Sequence, residues 1–181
     1  MPLPLTNLSK SQLQEWVTEE LAEPKFRATQ ILQWIYQRRV QQVSEMTNLS
    51  AKLRSRLEEE GHQIRTLSVA KVQGSADTTQ KFLYRLGDGR FIEAVLIPAN
   101  PALYGEASTR RTLCVSSQVG CAYDCKFCAS GLAGFTRNLT TGEIVEQVLL
   151  AEDHSGERVD NLVFMGMGEP LLAYKNVLQS I

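Results

Sequence analysis

The chain has 181 residues, of which 43% are hydrophobic and 22% are charged, and its formal net charge at pH 7 is −1. This composition is too apolar for a disordered chain, and the balanced charge gives no global argument for an acidic or nucleic-acid partner. No apolar run approaches the roughly 18 residues of a membrane span, and the first residues lack the basic start and apolar core of a signal peptide. The sequence therefore predicts a globular cytoplasmic protein without a membrane partner.

Residues 1–62 predict a helical domain. Ser9 and Gln12 have the Ser-x-x-Gln spacing of a capping box, and apolar residues follow at helical intervals. From position 25 to position 56 there are seven basic residues and one acidic residue. This excess predicts either a solvated helix surface or a patch that faces phosphates. The seven basic residues are Lys25, Arg27, Arg38, Arg39, Lys52, Arg54 and Arg56.

Residues 63–109 predict a β-hairpin followed by a linker. Two runs rich in strand-forming residues, 81–86 and 90–97, flank the turn sequence Gly87-Asp88-Gly89, which favours a hairpin. A loosely alternating run precedes them, and small residues over 99–109 indicate the linker.

Glu93 interrupts the apolar run at 90–97. Such a carboxylate either faces solvent by alternation or is buried with a raised pKa. By alternation it shares a face with Phe91, Val95 and Ile97, and these apolar neighbours argue against simple exposure.

Residues 110–181 predict alternating strands and helices. A β-prone run at 112–116 precedes a long loop at 117–138, and Thr140 and Glu143 have capping-box spacing at the start of a helix. A strand of buried type follows at 161–165 and leads through a turn into a final helix. This order favours a parallel sheet or barrel with functional loops after the strands, although two βα units cannot close a barrel.

Three of the four cysteines lie within eight residues, in the pattern C-x3-C-x2-C formed by Cys121, Cys125 and Cys128. In a cytoplasmic chain this spacing predicts metal ligands. Zinc sites and iron–sulfur clusters normally take four protein ligands, so three local thiolates leave one position for a substrate. The alternative is a non-catalytic RNA-binding module in which Cys114 completes a four-cysteine zinc site, although the gap before Cys121 does not resemble paired zinc knuckles.

The cysteine motif, with Phe127 before its last cysteine, resembles the signature of radical S-adenosylmethionine enzymes. The stretches Leu113–Cys121 and Asn161–Leu172 narrow the resemblance to the ribosomal RNA (adenine-C2) methyltransferases of the RlmN/Cfr type. The resemblance implies an α/β fold: a helical accessory domain that contacts RNA, a β-hairpin, and the first part of a partial (β/α)6 TIM-like barrel over 110–181.

The resemblance also implies the cofactors and the roles of single residues. The three cysteines of the motif would hold three irons of a 4Fe-4S cluster, and S-adenosylmethionine would chelate the fourth iron. Gly168 and Glu169 would contact the amino group of that cofactor, although Gly-Glu-Pro is also an ordinary turn sequence. Glu93 would be the proton acceptor, and Cys114 would form a disulfide with a methyl-carrying cysteine when the product leaves.

The implied reaction is methylation of adenine C2 in large-subunit ribosomal RNA, and in transfer RNA as a further substrate, through a methyl-cysteine intermediate. Methylation of adenine C8 stays open as an alternative. The family implies a flavodoxin-like electron donor, and we expect a monomer. The methyl-accepting cysteine of the family lies toward the C-terminus, and no cysteine follows Cys128 in this sequence. We therefore expect a C-terminally truncated chain without turnover of its own.

Overall fold

The computed structural model describes residues 2–75, 79–99, 110–123, 125–132 and 134–181. The chain divides into two compact units, Met1–Thr66 and Leu67–Ile181, which we call the helical unit and the sheet unit. Residues 100–109, where the sequence predicts a linker, lie outside the described residues. Within the described residues, no helix is long and apolar enough to cross a membrane.

The described part of the helical unit contains three α-helices, in agreement with the helical domain that the sequence predicts. Ser9 forms the predicted capping box, because its hydroxyl accepts from the Gln12 N–H while the Gln12 side chain accepts from the Ser9 N–H. Each helix directs an apolar stripe inward, where Leu13, Ile35 and Leu57 are each 0% exposed, so the three helices share one core. The helices are α1 (Lys10–Glu19), α2 (Phe26–Tyr36) and α3 (Ala51–Glu59), with short 3-10 helices at Leu5–Asn7 and Val43–Glu45.

The sheet unit contains seven strands among its described residues, five of them in one large sheet. In chain order they are β1 (Ser68–Gln73), β2 (Gln80–Arg85), β3 (Phe91–Pro98), β4 (Arg111–Cys114), β5 (Gln118–Gly120), β6 (Phe135–Asn138) and β7 (Asn161–Val163). The large sheet has the order β1-β2-β3-β4-β7. Its first four strands pair antiparallel and β4 pairs parallel with β7, which confirms the predicted hairpin and the strand–helix–strand order.

The hairpin and the βα units belong to one sheet. The sequence pattern assigns them to separate segments, whereas in the structure β3 pairs with β4 over four residues of each strand. The hairpin therefore extends the sheet that carries the cysteine-containing half of the chain.

Among its described residues, the sheet unit has two α-helices, α4 (Thr141–Ser155) and α5 (Tyr174–Ser180). Thr140 forms the predicted capping box with Glu143, and α4 ends at Gly156 in the left-handed conformation that favours glycine. A short 3-10 helix, Pro170–Ala173, precedes α5.

The segment 117–138 is not one long loop, because its two ends pair with each other. They form the short antiparallel pair of β5 and β6. Gly120 has φ 74° and lies so close to the carbonyl group of Gly134 that a side chain at position 120 would overlap it. Glycine at this position therefore allows the pairing that the sequence-based prediction of a loop missed.

The two faces of the large sheet differ in exposure. One face packs into the core with α4, and its side chains are nearly or fully buried; they include Phe82, Tyr84, Ile92, Ala94, Leu96 and Leu113. We call the other the open face. On β3 it carries Phe91, Glu93, Val95 and Ile97, all of them exposed or half-buried.

Candidate active site

Two of the candidate catalytic residues lie on the open face. Cys114, the last residue of β4, pairs directly with Val95 of β3. Directly paired residues share a face, and so do residues two apart in one strand, so Glu93 and Cys114 face the same side. Diagonal neighbours of this kind lie about 7–8 Å apart. The structure therefore brings the two candidate catalytic side chains close to each other.

The carboxylate of Glu93 is more accessible than its apolar neighbours suggest. Its side chain is 42% exposed, and one of its oxygens accepts a 2.9 Å hydrogen bond from Nζ of Lys81 on β2. The prediction that its apolar neighbours keep Glu93 from simple exposure is wrong, because Phe91 and Ile97 are themselves 45% and 41% exposed on this face. Glu93 is a paired surface carboxylate that a substrate can reach.

The thiol of Cys114 is half-buried between β3 and β7. Burial raises the pKa of this thiol, and the backbone at Met165 lowers it to a smaller extent. All four cysteines are free. The disulfide of Cys114 with a downstream cysteine stays a prediction.

The other three cysteines follow β5 in what we call the thiol loop, residues 121–134. Cys121 is held at the end of β5, where its N–H donates to the Gly134 carbonyl at 3.3 Å. The Cys128 N–H donates to the Cys125 carbonyl at 3.0 Å, which forms a tight turn between these two cysteines. Hydrogen bonds from the side chain and backbone of Ser130 lower the pKa of the Cys128 thiol, which favours the thiolate that binds metals.

The segment Gly166–Pro170, which we call the Gly-Glu segment, follows β7. Gly168 has φ 97°, a conformation that side chains rarely adopt. The Glu169 carboxylate accepts a 3.2 Å hydrogen bond from the Leu171 N–H and so caps the short 3-10 helix that begins at Pro170. Glu169 thus serves the turn that follows the strand, and its contact with a cofactor stays a prediction.

The comparisons with known proteins agree over both units. A sequence profile described as "Ribosomal RNA large subunit methyltransferase N-terminal domain" matches residues 3–62. A protein of Akkermansia muciniphila named "Probable dual-specificity RNA methyltransferase RlmN" is 49% identical over 99% of this chain and 50% of its own length. The dual-specificity RNA methyltransferase RlmN of Nitratidesulfovibrio vulgaris is 48% identical over 98% of this chain and 49% of its own length.

A crystal structure of a radical SAM methyltransferase from Sphaerobacter thermophilus superimposes with a TM-score of 0.85 at 37% identity, over 99% of this chain and 51% of that one. Over the length that it covers, the chain is similar to proteins of the RlmN family. It spans about half the length of the curated relatives that it matches. The resemblance read from the cysteine motif and the Gly-Glu segment is thereby confirmed, as is the mixed α/β fold.

Radical SAM methyltransferases such as those of the RlmN family use S-adenosylmethionine and a 4Fe-4S cluster, and the donor set of the thiol loop fits such a cluster. Cys121, Cys125 and Cys128 are free and reach the surface to different degrees. Among the described residues, no group of three His, Cys, Asp or Glu side chains is arranged to hold a metal ion. The three sulfurs would therefore have to converge when a cluster is assembled.

Three buried polar residues behind this site were not identified from the sequence. Ser116, Gln118 and Gln147 are each 0% exposed. The Ser116 hydroxyl donates to the Glu93 carbonyl at 2.5 Å and accepts from the Met167 N–H at 2.9 Å, so it joins β3 to the Gly-Glu segment. For Ser116 and Gln118 the available signal was a run of polar residues soon after β4, whereas Gln147 lies within α4; the sequence does not show that any of the three is buried.

The basic segment of the helical unit is less available than its charge suggests. Arg27 hydrogen-bonds Gln30 and the Asn48 carbonyl, and Arg56 binds the carbonyls of Glu20 and Leu21. These two guanidinium groups therefore hold the helical unit together. Of the seven basic residues in this segment, Lys25, Arg38 and Lys52 are exposed.

Proposed function

We propose that the sheet unit is the cofactor-binding part of a radical S-adenosylmethionine methyltransferase that modifies adenine C2 in large-subunit ribosomal RNA and in transfer RNA. The observation that carries the proposal is the position of Glu93 and Cys114 side by side on the open face. The Gly-Glu segment follows β7 of the same sheet, and the thiol loop follows β5, the next strand along the chain after β4. The names and the shared length of the relatives support RNA methylation of the radical SAM type, and adenine C2 is the position that the family resemblance implies.

Each candidate residue then has a specific task. Cys121, Cys125 and Cys128 would hold the 4Fe-4S cluster, which together with S-adenosylmethionine supplies a carbon-centred radical. Glu93 would accept the proton that leaves adenine C2, and its hydrogen bond from Lys81 fixes the direction of the carboxylate. Burial raises the pKa of Cys114, which keeps this residue a neutral thiol until its partner cysteine approaches.

The helical unit would contribute to RNA binding. Its exposed basic side chains can neutralise phosphates, and such binding weakens with salt because counterions are released. The reaction would also need a one-electron donor of the flavodoxin type, and we propose that the protein acts as a monomer.

The cluster is tested by loading the chain with iron and sulfide without oxygen, reducing it, and recording electron paramagnetic resonance spectra with and without S-adenosylmethionine. We expect a signal that changes when the cofactor is added. Cys121→Ala, Cys125→Ala and Cys128→Ala should each abolish this signal. Cys114→Ala is the matched control and should keep it. A colourless protein that binds one zinc ion and needs Cys114 to do so would contradict the proposal and support the zinc module with four cysteine ligands.

Methyl transfer is tested on a ribosomal RNA fragment, with the modified nucleoside identified by mass spectrometry. No cysteine follows Cys128 in this chain, so we expect no repeated turnovers from it. Repeated formation of 2-methyladenosine by this chain would contradict the proposed role of a downstream cysteine. Formation of 8-methyladenosine would contradict the proposed position of methylation.

A further inference from the structure

Gln118 is a fully buried amide at the start of β5, between the two loops of the site. Its side-chain oxygen accepts two backbone hydrogen bonds, from the Glu169 N–H at 3.0 Å and from the Ala122 N–H at 3.3 Å. Its side-chain NH2 donates to Oδ1 of Asn138 at 2.8 Å. Glu169 belongs to the Gly-Glu segment and Ala122 to the thiol loop, so one side-chain oxygen connects the two loops.

The neighbouring bonds fix which way this amide points. Nδ2 of Asn138 donates to the Leu172 carbonyl at 3.1 Å, so Oδ1 of Asn138 is the atom that faces Gln118. Because Oδ1 of Asn138 can only accept a hydrogen bond, the NH2 group of Gln118 must face it. The Gln118 oxygen then points to the two backbone N–H groups. The hydrogen bonds thus run from Glu169 through Gln118 and Asn138 to Leu172. A further bond connects Gln118 to Ala122 of the thiol loop.

The backbone of the Gly-Glu segment also contacts Gln118 directly. The Gln118 N–H donates to the Met167 carbonyl at 3.1 Å. Gly168 lies directly against the Gln118 side chain, and an added Cβ at position 168 would come within 2.8 Å of the backbone nitrogen of Gln118. The absence of a side chain at position 168 therefore lets the Gly-Glu segment approach Gln118 closely enough for the hydrogen bond from Glu169.

From this arrangement we infer that Gln118 is a positioning residue, which fixes the thiol loop relative to the Gly-Glu segment. The consequence for cofactor binding rests on the proposed function, in which S-adenosylmethionine contacts both loops at once. A ligand held at two places binds tightly only when the distance between them is set in advance. Gln118 would act through the two backbone segments and would not touch the cofactor itself.

The experiment compares Gln118→Leu with Gln118→Glu in the whole 181-residue chain. Leucine has a similar size but offers no hydrogen bond, whereas glutamate retains an oxygen for both backbone N–H groups and, when protonated, an O–H that can donate to Oδ1 of Asn138. The matched control is Asn176→Leu, because the Asn176 amide donates to the Leu139 carbonyl in the same unit and bonds neither loop. The first measurement is amide hydrogen exchange at Ala122 and Glu169, which needs no cofactor.

In Gln118→Leu we expect these two amides to exchange about tenfold faster or more, while the amides of β2 and β3 keep their rates. We expect glutamate to restore most of the protection and Asn176→Leu to leave both amides unchanged. In the iron-loaded chain, Gln118→Leu should keep its iron but need about tenfold more S-adenosylmethionine for the half-maximal change of the paramagnetic signal. Glutamate should reverse most of that change.

Wild-type exchange rates at both amides in Gln118→Leu would overturn the inference, and so would equal effects of Gln118→Leu and Asn176→Leu. An unchanged cofactor requirement in Gln118→Leu would also overturn it. If the wild-type chain itself gave no response to the cofactor, the proposed function would fail, and the exchange rates at Ala122 and Glu169 would still decide whether Gln118 joins the two loops.

Discussion

The helical unit and the sheet unit distribute polar and apolar side chains in opposite ways. In the described part of the helical unit, Phe26 is the only large apolar side chain that is exposed, and Thr6 and His62 are the only buried polar ones. The sheet unit exposes many large apolar side chains, among them Phe127, Met165 and Leu171. Its buried polar residues include Ser116, Ser117, Gln118, Glu146 and Gln147, each at most 2% exposed.

This difference separates the helical unit from the unit that carries the candidate active site. Burying a polar group costs free energy unless it is hydrogen-bonded, so buried amides and hydroxyls occur where they fix a backbone segment. Here Ser116, Gln118 and Gln147 fix the stretches of chain that lead into the thiol loop and the Gly-Glu segment. The exposed apolar residues Phe127 and Met165 lie on those same two stretches, where they are available to a ligand or to further protein.

The largest expected effect tests whether the exposed apolar residues contribute to stability. Leu113 is 0% exposed in β4, whereas Leu132 is 88% exposed in the thiol loop. We expect Leu113→Ala to lower the free energy of unfolding by about 3 kcal/mol. Leu132→Ala, the matched control, should change it by less than about 0.5 kcal/mol. Urea unfolding followed by circular dichroism measures both. Equal costs would mean that the thiol loop packs as tightly as the core.

The sequence could predict the elements of both units because local signals specify them. The capping boxes at Ser9 and Thr140, the turn at Gly87-Asp88-Gly89 and the strand–helix–strand order all appear in the structure where the pattern indicates them. The roles of the seven candidate site residues stay predictions, because they come from the motifs and from the resemblance to a family.

Three features could not be predicted, because they depend on distant contacts. The exposure of Glu93 depends on which face of the sheet is covered, and alternation alone does not say which. The β5–β6 pair requires the close approach of Gly120 to Gly134, which are separated by the thiol loop. The burial of Gln118 depends on its bonds to Asn138 and Glu169, which lie far along the chain.

The second expected effect concerns the contact between Gly168 and Gln118. Gly168→Ala introduces a side chain at φ 97° and against Gln118, so we expect a loss of about 2–3 kcal/mol in the free energy of unfolding of the sheet unit. Gly156→Ala is the matched control, since Gly156 has φ 71° and nothing within 4 Å of the added atom. It should cost about 1 kcal/mol. If both variants lost the same amount, close packing on Gln118 would contribute nothing beyond backbone strain.

A smaller effect should be shared by the two units, since each has an α-helix with a complete capping box. Ser9→Ala removes the acceptor of the Gln12 N–H in the helical unit, and Thr140→Ala removes the acceptor of the Glu143 N–H in the sheet unit. We expect each to cost about 1 kcal/mol in thermal or urea unfolding. Ser9→Asn, which retains a capping oxygen, should restore most of the stability. A cost confined to one unit would show that tertiary contacts replace the cap in the other.

The smallest expected effect is a pH dependence of the sheet unit. Arg137 binds Asp88 at the hairpin turn and both carboxylate oxygens of Glu143 at the start of α4. Partial burial raises the pKa of Asp88, but hydrogen bonds from Arg137 and Arg90 outweigh burial and lower this pKa to about 2. In the unfolded chain the carboxyl has a pKa of about 3.9.

The proton therefore binds more tightly to the unfolded chain, so this carboxylate stabilises the fold above about pH 4, and its contribution is lost as the pH falls toward 2. Because the Asp88 side chain is 31% exposed, screening reduces the loss to on the order of 0.5–1 kcal/mol. Urea unfolding at a series of pH values measures it, and Asp88→Asn should remove this part of the slope. An identical slope in Asp88→Asn would mean that Arg137 draws its stabilising contact from Glu143 alone, and that the hairpin turn is joined to α4 by packing without help from charge.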